Sequence, residues 1–210
     1  MTHSNDTAAD TNYTLCTELV FSFSLYEDRL IAQALRKGTA LSYVLFTRRM
    51  TMLVVQQLLK TLPRLTDLGR TPAEYWQETL RMNHERAMRA RDSTNALHQQ
   101  PASAEPAVDA VPAVVHDTSI PLFIATEITI KFEGQQVIMA FRGLPMPQAM
   151  TQSQSPVPLF AIPLQVDHVH QLIELLIMKA REAQWHLPVE LPWLEPLKPS
   201  DVSGHRLVLH

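Results

Sequence analysis

Apolar and polar residues alternate with period two near the start of the chain, over residues 17–25. In TELVFSFSL, Leu19, Phe21, Phe23 and Leu25 fall on one side and Val20, Ser22 and Ser24 on the other, the pattern of a strand with one buried face. YEDR reads as a turn. RLIAQALR (29–36) predicts a second strand, although its alanines would also suit a helix. Lys37-Gly38 turns the chain into a third strand, ALSYVLF (40–46). At Thr47 the period changes. Thr47 is placed to cap a helix that carries Val54, Val55, Leu58, Leu59 and Leu62 on one face, and Pro63 is expected to end it.

Thr71-Pro72-Ala73-Glu74 has the form of a helix start, with a capping threonine, proline at the first helical position and glutamate closing a capping box. The spacing predicts a helix over 72–91. Its apolar stripe is thin (Trp76, Leu80, Ala87), and Arg81, Arg86, Arg89 and Arg91 crowd its end. Residues 93–119 have no period and are rich in Ala, Pro, Ser and Val, so they read as a disordered linker. LFIATEITIKFE (122–133) then alternates cleanly. QVIMAFRG (136–143) is its return strand, and VPLFAIPL (157–164) is a third strand whose prolines suit a sheet edge. A helix over about 166–184 follows, with Val169, Leu172, Ile173, Leu176 and Ala180 on one face.

Two stretches resemble each other. LFTRRMTMLVVQQLLKTL begins at Leu45, and LFAIPLQVDHVHQLIELL begins 114 positions later at Leu159. The expected fold is therefore α+β, with two pseudo-repeated β-β-β-α units built on antiparallel sheets. The expected organisation is a disordered N-terminus (1–13), a first unit (14–64), an additional helix (71–92), the linker (93–119), a second unit (120–186) and a Pro-rich tail (187–210). The closing HRLVLH could add a short strand. Three strands and one helix leave a sheet half covered, so the two units are expected to share one compact domain, face to face or edge to edge.

Composition narrows the chemistry. Apolar residues make up 46% and charged residues 19%, enough for a packed core. With only 5 glycines, the chain contains no GxxxxGK[ST], GxGxxG or GxSxG, and HExxH and CxxC are also missing. No cofactor is expected. The single Cys16 reads as a buried structural thiol. The N-terminal residues lack the form of a signal peptide, and no apolar run approaches the roughly 18 residues of a membrane helix, so a cytoplasmic protein that does not enter membranes is expected.

Charge is unevenly distributed. Residues 29–91 hold 12 Lys and Arg against 4 Asp and Glu, while the whole chain carries a net charge of −3. Either the acidic remainder folds onto this basic segment, or the segment meets an anionic partner. Arg48, Arg49, Arg81, Arg86 and Arg89, with Tyr43, Tyr75 and Trp76 nearby, are candidates for gripping an anion or single-stranded nucleic acid. Strand-rich half-repeats ending in a helix resemble in outline the PUR and whirly single-strand-binding folds, which have four strands per repeat where three are counted here. Asp167, His170 and Glu174 share helical spacing and are weak candidates for a metal or acid–base site. A solvated polar stripe is the simpler account of them. Trp193, between prolines in LPWLEP, either packs on the core or forms a docking contact. Together these features point to a non-enzymatic binding or scaffold protein that meets a protein partner or forms a homodimer. Single-stranded nucleic-acid binding through 29–91 is the alternative, and an enzyme using the Asp167/His170/Glu174 stripe comes last.

Overall fold

A computed structural model describes residues 13–66, 68–98 and 119–193. Their architecture is α+β, one six-stranded mixed sheet with three α-helices. The strands are β1 (Glu18–Ser24), β2 (Arg29–Arg36), β3 (Thr39–Phe46), β4 (Leu122–Glu133), β5 (Gln136–Pro145) and β6 (Val157–Leu164), side by side in chain order. The helices are α1 (Arg48–Leu65), α2 (Trp76–His98) and α3 (Val166–Glu182). The alternation that predicts the strands also selects the buried face. Phe21, Leu30, Ala32, Ala34, Val137 and Met139 all turn towards α1 and α3 and join one core with Val54, Leu58, Ile173 and Leu176.

Separate antiparallel sheets do not form. Neighbouring strands pair antiparallel except β3 and β4, which run parallel through Tyr43–Leu45 and Leu122–Ile124. Ser42–Phe46 are buried on both faces of the sheet, so β3 would leave buried polar backbone unpaired as an edge. The pairing with β4 removes that cost. The opposite ends of the sheet also approach one another. Leu15 bridges Ala161 in parallel, the Cys16 N–H donates to the Ala161 carbonyl (2.9 Å), and the Thr17 N–H donates to the Leu35 carbonyl (2.8 Å). The short stretch leading into β1 therefore bonds to β2 on one side and to the far outer strand β6 on the other, with α3 against β1 and α1 against β4. Cys16 is enclosed as expected, and burial pushes its thiol up to about 12.

The helix boundaries depart from the sequence in three places. Pro63 does not end α1. It lies in the last turn, where the bond its missing N–H would have made to the Leu59 carbonyl is lost without interrupting the body of the helix. The Thr66 N–H and hydroxyl both donate to the Leu62 carbonyl (2.9 and 2.7 Å), closing the end two residues further on. The Thr71/Glu74 capping box does not form. Residues Ala73–Tyr75 make a 3₁₀ turn first, and Thr71 offers its carbonyl to Trp76 Nε1–H (2.8 Å). Finally, α2 continues through Ser93, whose hydroxyl donates back to the Arg89 carbonyl (2.9 Å), to His98, well inside the expected linker. Residues 99–118 of that linker, residues 1–12 and the tail beyond residue 193, HRLVLH included, lie outside the described residues.

Thr47 does cap α1, its hydroxyl accepting from the Met50 N–H (3.2 Å). Thr47→Ala is expected to cost about 1 kcal/mol, read as a lower denaturation midpoint with an unchanged slope.

Candidate functional site

The sequence-predicted arginines are dispersed. Arg48, at the start of α1, donates to the His186 carbonyl (2.6 Å), and Arg49 is exposed beside it. Arg81 pairs along α2 with Glu78 (2.6 Å) and Glu85 (2.7 Å), and Arg89 pairs with Glu85 (3.4 Å). Arg86 reaches across to Asp167 on α3 (2.9 Å). The basic helix thus meets carboxylates of its own chain. The aromatic candidates do not join the arginines in one surface. Tyr43 is buried in β3, Tyr75 and Trp76 are exposed at the entry to α2, and Trp193 is buried on the other side of α2.

Asp167, His170 and Glu174 do not converge, and His170 is not on a solvated stripe. Asp167 is held by Arg86. Glu174 faces His84 Nε2 at 3.9 Å. His170 is fully enclosed, edge-on to His84 (5.6 Å between ring centroids) and to Trp193 (5.1 Å). Trp193 stacks flat on His84 at 4.5 Å. Among the described residues neither ring nitrogen of His170 nor Nδ1 of His84 has a hydrogen-bond partner, and no group of three or more His, Cys, Asp or Glu is arranged to hold a metal ion. Burial holds both imidazoles below their ordinary range, His170 down to about 4. The proximity of His84 adds to that shift, whereas Glu174 pulls His84 partly back. Sequence reasoning passed over His84, although its spacing from Leu80 and Ala87 (i+4, then i+3) places it on the buried stripe of α2.

The outer face of the sheet, away from the helices, carries a groove of about 600 Å³ where β3 meets β4. Ile31, Tyr43, Leu45, Leu122 and Met146 give it an apolar wall. Tyr26, on the turn between β1 and β2, lines its rim and is 102% exposed, and its chain neighbour Leu25 is 82% exposed. Turn residues are normally polar, so an exposed apolar pair next to an apolar groove is unusual for a monomer surface. A second cleft of about 790 Å³, between α1, α2 and the β4–β5 turn, is polar. Its Arg86 is already paired, and its Arg64 lies over the Phe132 ring (3.8 Å).

Among the described residues no helix is long and apolar enough to cross a membrane. No protein-family model matches the chain, and no curated protein or solved structure is significantly similar to it.

Proposed function

We propose that this chain is a non-catalytic binding protein that associates with a second copy of itself through the outer face of the sheet. The observation carrying this reading is an apolar groove rimmed by the fully exposed Tyr26, with the exposed Leu25 next to it in the same turn. A protrusion and a recess that share one surface suit a twofold, self-complementary contact, in which the turn of each copy fills the groove of the other. Burying a tyrosine and a leucine in this way removes large apolar surface from water twice per dimer. Sedimentation is expected to give a dimer in the micromolar range for the native chain and a monomer for Leu25→Asp with Tyr26→Asp, with circular dichroism unchanged. A native chain that stays monomeric throughout that range defeats the proposal. Nucleic-acid binding through 29–91 ranks second, because the arginines it needs are largely paired with carboxylates.

The two β-β-β-α blocks are, on this proposal, copies of one ancestral unit. The support is register. Leu30 opposite Phe46 corresponds to Val137 opposite Leu164, and Ala32 opposite Val44 corresponds to Met139 opposite Ile162. Both middle strands carry a bulge at the matching place, after Ala34 and after Phe141. The parallel pair Tyr43–Leu122 has its counterpart in Ala161–Leu15. This equivalence sets Phe46 against Leu164, 118 positions apart, one helical turn away from the 114 that the similar phrases suggest. It also aligns the buried Val54, Val55, Leu58 and Leu62 with the buried Leu172, Ile173, Leu176 and Ala180. The groove has diverged between the copies, since Ala161 stands where the other seam has Tyr43.

A further inference from the structure

Beyond α3 the chain doubles back as an extended strap. Gln184 turns it with a φ of 55°, and from there every second side chain points inward: Trp185, Leu187, Val189, Leu191 and Trp193. The near end is tied down by polar contacts. Trp185 Nε1–H donates to Asp28 Oδ1 (2.7 Å), and Arg48 donates to the His186 carbonyl (2.6 Å). Further along, Leu187, Val189 and Leu191 are only partly buried, and the deepest contact is Trp193 against two imidazoles, His84 from α2 and His170 from α3.

An imidazole is a costly wall for a tryptophan. Each buried nitrogen without a partner gives up hydration that a leucine or phenylalanine would not lose. What histidine adds is a charge that can be switched on. We infer that the strap is a latch that closes over uncharged His84 and His170 and swings away from α2 and α3 when they take up protons. The strap and the outer groove share the β1–β2 turn, which the strap meets at Asp28, but the imidazole pair and Trp193 are not part of the groove.

The charged groups around the pair do not cancel the effect. On α2, Arg86 and Arg91 oppose protonation and Glu85 favours it; on α3, Asp167 and Glu174 favour it. Arg86 and Asp167 neutralise one another, and Glu174, 3.9 Å from His84, leaves that ring still below its ordinary range. The sign follows from burial. With the latch closed, burial holds His170 down to about 4; with it open, the part of that burial due to Trp193 is lifted and the value rises towards the ordinary 6.5. The closed form is therefore favoured in full above about 6.5, and that advantage is lost as pH falls from there towards 4.

Hydrogen exchange of the full chain tests this, with protection corrected for the pH dependence of chemical exchange. Between about pH 7.5 and about pH 4.5, protection of the Val189 amide, which donates to the Leu187 carbonyl (2.9 Å), is expected to fall about tenfold or more while α1 stays protected. His170→Phe, or His170→Leu should the phenylalanine not fit, is expected to keep the strap protected at the lower pH. The inference is overturned by a strap as protected at the lower pH as at the higher, by α1 and the strap opening together, or by a folded His170 variant that opens like the native chain. The comparison of strap with α1 in the native chain decides the matter even if neither variant folds.

Discussion

Phe141→Ala is expected to remove about 3–5 kcal/mol of stability, the usual cost of deleting a fully enclosed aromatic ring. Phe141 is 1% exposed and stands in the middle of a run of four rings: Phe21 to Phe46 at 5.7 Å, Phe46 to Phe141 at 5.2 Å, and Phe141 to Phe160 at 5.1 Å. These rings come from β1, β3, β5 and β6, so they tie together strands from both sides of the parallel seam. Phe46 and Phe160 are themselves fully buried and fixed by helices on one side. They have little room to collapse into the space left behind, which puts the cost at the high end for a large-to-small change. Against a total stability of about 5–15 kcal/mol, a third or more of the fold's stability rides on one side chain. The check is a denaturation midpoint that falls with the slope held constant. A loss below about 1 kcal/mol would mean that the ring run is not the centre of the core.

Much of this core was legible because alternation is a local signal. LFIATEITIKFE and RLIAQALR have the same limits in the sequence and in the fold, since each buries one face only. Ser42–Phe46 gives no such alternation, because both faces are covered once β4 arrives, and nothing near β3 in sequence announces β4. Edge pairing between strands far apart leaves no periodic trace, so whether the blocks met by face or by edge could not be read. The described part of the strap has no regular structure, in keeping with its prolines, and only its packing went unread. Trp185, Leu187, Val189, Leu191 and Trp193 already alternate in the sequence, but Pro188 and Pro192 argued against regular structure. Both prolines lie at the positions between the inward ones, where a missing N–H costs little. His170 was assigned to a polar stripe by its type, while its spacing to Ile173 and Ile177 already placed it on the buried side of α3.

Glycines separate two physical roles, and one of them sets a second large expectation. Gly38 takes a φ of 76° with open space around it, so Gly38→Ala is expected to cost only about 1 kcal/mol, for backbone conformation alone. Gly143 is constrained by space instead. A methyl group there would overlap the Ile124 carbonyl oxygen and come within 2.8 Å of Leu159 Cδ1. The position follows the bulge in β5 and lies opposite the bulge in β4, where the two strands are drawn close. Gly143→Ala is therefore expected to cost about 3 kcal/mol, the upper end for overpacking, because a carbonyl in a hydrogen-bonded ladder cannot move aside as a side chain can. A double variant decides which obstacle matters. Leu159→Ala clears the leucine but not the backbone, so Gly143→Ala is expected to destabilise the Leu159→Ala background nearly as much as it destabilises the native chain. Recovery of most of the lost stability in the double variant would place the constraint in the Leu159 side chain and not in the approach of β4 to β5.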